Sequence, residues 1–112
     1  MSFYQPGEVI RAYFPFDGPR GGKPRPVLIL EIESDQLYKC AMITGTNRTG
    51  ECKGEWVSEL SALGRSMGLD KASFINLDNI KSIPRSLIEA LKSPQGVYTD
   101  FESFIDRHGL DE

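Results

Sequence analysis

"GGKPRPVLIL", residues 21–30, sets a guanidinium, Arg25, between two prolines and follows it at once with aliphatic residues. The continuation "VLILEI", residues 27–32, is an unbroken apolar run that ends in charge. Such a run suits a central strand covered on both faces. Pro24 biases its surroundings toward extended geometry, and Pro26 restricts Arg25 itself. The arginine is thus launched from a stiff position at a strand entrance, with less backbone entropy to lose on binding. Gly21 and Gly22 let a polyanion approach the main chain closely.

The neighbouring segments extend the β pattern in both directions. "GEVIRAYFPF", residues 7–16, mixes β-branched and aromatic residues and reads as a strand. "DGPRGGKP", residues 17–24, packs three glycines and two prolines into eight positions and reads as a loop. "LYKCAMIT", residues 37–44, is a third strand after a turn at Ser34 and Asp35, and "EWVSEL", residues 55–60, a fourth. The polar stretch "GTNRTGECKG", residues 45–54, links them as a hairpin loop. "SALGRSMGLDK" is a connection with one helical turn ended by Gly64. "ASFINLDNIKSI", residues 72–83, gives one or two short strands broken near Asp78 and Asn79.

Ser86-x-x-Glu89 has capping-box spacing, so "LIEALK" is expected to be a short helix. Thr99-x-x-Glu102 repeats the signature. With Phe101, Phe104 and Ile105 on one face and Gly109 as a stop, residues 100–108 make another. The expectation is a mainly β (α+β) domain over residues 1–112: a small barrel of five to six short strands with two or three short helices. Its core motifs span 6–88, and a C-terminal helix and acidic tail occupy 89–112.

Composition bounds the partners. A chain of 112 residues fits one domain with a modest core, and 39% hydrophobic with 26% charged residues is ordinary for a globular protein. No stretch approaches the roughly 18 apolar residues that span a bilayer. The N-terminus has no basic and apolar leader pattern, and two cysteines form no scaffold at this length, so a cytoplasmic protein with reduced thiols is expected. Cys40 in "YKCAMIT" reads as a small core residue. The net charge of −3 is unevenly spread: residues 89–112 hold 2 basic against 6 acidic side chains. Within residues 11–25, Arg11, Arg20, Lys23 and Arg25 face Asp17 alone, which makes a local cationic patch.

Several chemistries lack their residues. The single histidine, His108, sits in the acidic tail and reads as solvated, so one chain holds no histidine pair for acid and base. Two cysteines and one remote histidine do not offer zinc-ligand spacing, and Glu31, Glu33 and Asp35 read as a solvated strand end. Neither a phosphate-loop lysine pattern nor a nucleophile elbow occurs. Arginine, hydroxyls and backbone amides remain, an inventory suited to phosphate recognition: a guanidinium matches phosphate oxygens bidentately and stays protonated. A structural ion pair of Arg25 with Glu8 or Asp78 is the bland alternative.

Four motifs in order resemble the MazF/PemK family of bacterial toxin endoribonucleases. "PGEVIRAYFPF" is similar to the family's opening strand, and "KPRPVLIL" to its arginine-proline hallmark. "AMITGTN" resembles the strand end bearing its catalytic threonine or serine, and "SFINLDNIKSIPRSLI" its late strand. The resemblance implies an SH3-like barrel, here of PemK type. It also implies cleavage of single-stranded RNA without metal or other cofactor, a homodimer, and an inhibiting antitoxin. Carried over, the catalytic positions are Arg25 and Thr44. The reaction implied is attack of the substrate's own 2′-hydroxyl on the adjacent phosphorus.

Thr46, Asn47 and Arg48 are then expected RNA contacts, with Arg11, Arg20 and Lys23 as a phosphate track. Tyr13, Phe16 and Trp56 are candidates for stacking a splayed base, against the simpler reading of core packing. "FDGPRGGKP" looks shorter than the corresponding family loop, and "SELSALGRSMGL" departs from the family pattern. Two rivals use the same barrel: a nucleic-acid-binding module without catalysis, such as an operator-DNA autoregulator acting with its antitoxin, and a protein-interaction toxin of the gyrase-inhibiting kind. Fold alone does not choose among them.

Overall fold

A computed structural model of the chain describes residues 4–15, 22–88 and 95–110. Six strands, β1 (Glu8–Pro15), β2 (Gly22–Ser34), β3 (Leu37–Thr44), β4 (Gly54–Val57), β5 (Ser73–Pro84) and β6 (Gly96–Val97), form one sheet in the order β4-β5-β3-β2-β1-β6. Every pairing is antiparallel. The sheet curls: Ala12 of β1 bridges Ile88, just beyond β5 and a 3-10 turn at Arg85–Leu87. The result is a curled half-barrel with two short helices, α1 (Ala62–Met67) and α2 (Phe101–His108).

The unbroken apolar run of β2 is explained by a core on each face of the sheet. Leu28 and Leu30 join one cluster with Val9, Ile43, Ile75, Met67 of α1 and Phe104 of α2. Val27 and Ile29 join the other with Ile10, Phe14, Tyr38, Ile83 and Ile88. Successive side chains of a strand point to opposite faces, so a run apolar at every position needs both covers.

Several boundaries differ from the sequence reading. β2 begins at Gly22, so residues 22–24, including Pro24, lie within the strand rather than in the loop. β4 stops at Val57, where Ser58 opens a turn by accepting from the Leu60 amide at 3.1 Å. β5 runs unbroken through Asp78 and Asn79, and the disturbance appears as a register shift: Ala41 pairs with Ile80 but Met42 with Asn76. β6, two residues long, carried no periodicity to be read.

The helix ends are also corrected. Gly64 does not stop α1; Ser61 caps its start by accepting from the Gly64 amide at 2.9 Å, and Gly68 ends it in the left-handed region. Leu87 belongs to the 3-10 turn and Ile88 is extended, so the Ser86 signature does not open a helix at Leu87; Glu89 and the rest of "LIEALK" lie outside the described residues. The residue at the head of α2 is Asp100, not Thr99, and it makes no side-chain capping bond to the backbone. Gly109 terminates α2 as expected, at φ 63°.

Candidate functional site

The site arises where β2 and β3 part. Their ladder runs from Ser34 opposite Leu37 to Val27 opposite Met42 and no further. Among the described residues, 22–26 pair with β1 alone, from Gly22 opposite Pro15 to Pro26 opposite Arg11. Prolines 24 and 26 have no N–H to give a second neighbour, so a proline-flanked strand start is tolerated only where one side stays open. The end of β3 turns to β5 instead, Thr44 pairing with Phe74. A cleft of about 560 Å³ fills the fork. Its walls are Lys23, Arg25 and Pro26 of β2, Ile43 to Thr46 at the end of β3, and Lys71 and Ser73 at the entry of β5.

Arg25 and Thr44 belong to this one cleft. Two residues beyond the last paired rung, Val27 opposite Met42, each strand reaches its site residue, so both project from the same face. The Thr44 hydroxyl oxygen accepts from the Thr46 amide at 3.4 Å, which leaves its own O–H to donate.

Arg25 is half-buried, and its Nη1 donates to the Met42 thioether at 3.4 Å, a weak acceptor. Its Nε is buried with no hydrogen-bond partner. No carboxylate forms an ion pair with Arg25 among the described residues. Glu8 accepts from the Gln5 amide at 2.8 Å and Asp78 from the Lys53 amide at 2.9 Å, so neither is the partner weighed from the sequence. Among the described residues, three cations, Lys23, Arg25 and Lys71, line the cleft and no acid does. A partly desolvated, uncompensated guanidinium is costly to the fold, and an anion in the cleft would offset that cost.

The remaining candidates divide. Lys23 and Thr46 line the same cleft. Arg11 lies in a second, of about 220 Å³, together with Leu69, Asp70 and Gln95. Asn47 and Arg48 line neither. The Asn47 carbonyl accepts from the amide and hydroxyl of Thr49 at 2.9 and 2.6 Å, and Arg48 is salt-bridged to Glu51 at 3.1 Å. Arg20 and Phe16 lie outside the described residues. Tyr13 and Trp56 are not core residues; they are 39% and 40% exposed. Tyr13 sits in a groove with Pro24 and Leu87, and Trp56 is on the outer strand β4.

Sequence reasoning passed over Lys71 and Ser73. Ser73 adjoins Phe74, the partner of Thr44, and Lys71 lies three residues before it, so that long-range pairing brings both to the cleft. Ser73 donates from its hydroxyl to the Lys71 carbonyl at 2.9 Å. The departing stretch 58–69 supplies α1, whose Met67 enters the core, and Leu69, which lines the second cleft.

His108 is not a solvated tail residue. Its Nε2 lies 3.0 Å from Glu55 Oε2, and its ring packs 4.8 Å from that of Phe104. Arg107 donates to the same oxygen at 2.6 Å, and the Tyr98 hydroxyl donates to Oε1 at 2.5 Å. Burial pushes the Glu55 carboxyl up, but the bonds from Tyr98, Arg107 and His108 together hold it below its usual value. Burial first, and then the bond to Glu55, push the Tyr98 hydroxyl up to about 12. This cluster clamps α2 against β4, and it lines neither cleft.

Among the described residues, no three of histidine, cysteine, aspartate and glutamate gather as a metal-holding group, and no helix is long and apolar enough to cross a membrane. The chain matches no family model and no curated protein.

Proposed function

We propose that this chain is a metal-independent endoribonuclease that cuts single-stranded RNA, the toxin of a toxin–antitoxin pair. The observation that carries the reading is the cleft shared by Arg25 and Thr44, where a half-buried guanidinium, paired with no carboxylate among the described residues, stands beside a hydroxyl free to donate. The four-motif resemblance to the MazF/PemK family supplies the substrate class. It also supplies the expected partners: a cognate antitoxin protein, a second copy of the chain, and operator DNA for the toxin–antitoxin complex. The cytoplasm, where RNA is met, is the matching compartment.

In this mechanism the RNA backbone enters the cleft with one phosphate between Arg25 and Thr44. The ribose 2′-hydroxyl attacks the adjacent phosphorus, the bond to the 5′-oxygen breaks, and the products carry a 2′,3′-cyclic phosphate and a 5′-hydroxyl. Arg25 stabilises the charge that grows on the non-bridging oxygens, and Thr44 donates a hydrogen bond to the same phosphate. A guanidinium stays protonated at neutral pH, so its role is electrostatic rather than that of a general base. Lys23 and Thr46 align the strand from the cleft's rim.

The test is incubation of the purified protein with a long unstructured RNA in the presence of a chelator. Fragmentation is expected from the wild type, and Arg25→Ala and Thr44→Ala should stay folded but cut far more slowly. RNA left intact at high wild-type concentration contradicts the proposal.

A further inference from the structure

Four residues line both clefts: Arg25, Pro26, Lys71 and Ser73. They form the wall between a larger space of about 560 Å³ and a smaller one of about 220 Å³. Arg25 and Lys71 are the cations of that wall, and they come from different parts of the sheet. Arg25 is mounted on β2, while Lys71 precedes β5 and is carried to the fork by the pairing of Phe74 with Thr44.

The Lys71 stem lies across Gly45. A methyl at Gly45 would stand 3.1 Å from both Lys71 Cε and Nζ, tighter than ordinary van der Waals contact. The absent side chain at position 45 is therefore what lets the ammonium rest over the end of β3, beside Thr44. Lys71 has no ion pair among the described residues, and Asp70 next to it lines only the smaller cleft.

We propose that Lys71, seated over Gly45, is the second phosphate-gripping cation of the site. With Arg25 it holds one phosphodiester of a single-stranded nucleic acid at the shared wall, with a nucleotide in each cleft. The inference rests on the RNA-cleaving reading and deepens it. A guanidinium fixes phosphate orientation through its planar fork, whereas an ammonium acts as a point charge that follows the phosphate as it moves. Gly45 is then a positioning residue, acting only through Lys71.

The experiment uses a short 2′-O-methyl oligonucleotide, which lacks the attacking hydroxyl and so reports binding alone. Affinity is measured by fluorescence anisotropy across a salt series. Removing one cation that neutralises a phosphate should lower the slope of log affinity against log salt by about 0.7 for a single strand. Lys71→Met is expected to lower the slope by that amount, and Lys39→Met, which removes a cation outside both clefts, to leave it unchanged. Gly45→Ala should weaken binding with an unaltered melting temperature, and should add little once Lys71 is already Met. A wild-type slope retained in Lys71→Met overturns this inference while leaving the nuclease reading in place. A wild type that does not bind the oligonucleotide overturns both.

Discussion

Arg25 donates to the sulfur of Met42 at 3.4 Å, and that thioether also receives the Asn79 amide at 3.5 Å. A weak acceptor thus aims the guanidinium without neutralising it, which a carboxylate would do. Arg25→Ala should cut the rate of RNA cleavage by about 10²–10³, the loss seen when one oxyanion donor is removed. The melting temperature should hold or rise, because an uncompensated half-buried charge has gone. Met42→Leu conserves volume and should cost less than about 1.5 kcal/mol of stability. It should nevertheless slow cleavage by releasing the arginine. Kinetics and thermal melting on the same preparations check both, and a large drop in melting temperature for Arg25→Ala would count against the account.

Gly64 offers a reversal of a familiar rule. In an exposed helix interior, alanine is preferred to glycine by about 1 kcal/mol. Here a methyl at residue 64 would stand 2.0 Å from the Ser58 carbonyl oxygen, a backbone atom with little room to yield. Gly64→Ala should therefore destabilise the protein by about 1–3 kcal/mol, the range for an overpacked core. Denaturant midpoints give the sign directly.

The clamp at Glu55 predicts an acid limb in the stability curve. The folded carboxyl titrates below its usual value of 4.5, so the unfolded chain takes up the proton more readily. The stabilisation is complete above the unfolded value and is lost as pH falls through the lower folded one. Glu55→Gln should flatten that limb. At neutral pH it should cost about 1.5–3 kcal/mol, the range for a hydrogen bond to a charged group. Urea titrations between neutral and acid pH test it; an unchanged limb in the variant would contradict the clamp.

Cysteine reactivity should split cleanly. Burial, with a smaller effect of the Glu33 charge, pushes the Cys40 thiol up to about 12, and the thiolate is the reactive form. Iodoacetamide at mildly alkaline pH should label the half-buried Cys52 and spare Cys40 until the chain unfolds, as read by mass spectrometry.

β1, β3 and the two-sided β2 were legible because their periodicity is local, and β3 was bounded to the residue. The start of β2 was not, since a proline normally reads as a break; its position with one open side is a property of the assembled sheet. Gly64 looked like a helix stop because sequence shows a glycine but not its close neighbour, Ser58. At the site, Arg25 stood out between its two prolines, whereas Thr44 was named only through the family resemblance; the register that sets both in one cleft belongs to the folded sheet. Lys71 arrives by the β3–β5 pairing, and His108 meets a carboxylate 53 residues away, so neither partner could be inferred from spacing.

The central claim is that the fork between β2 and β3 brings Arg25 and Thr44 onto one ribose-phosphate linkage. The most direct measurement is mass analysis of fragments from an RNA oligonucleotide, beside a copy carrying a single 2′-deoxy residue immediately 5′ to the cut. The account predicts a 2′,3′-cyclic phosphate and a 5′-hydroxyl from the first, and no cleavage at the deoxy position of the second. Scission at the deoxy position, or fragments ending in a 5′-phosphate, would contradict it.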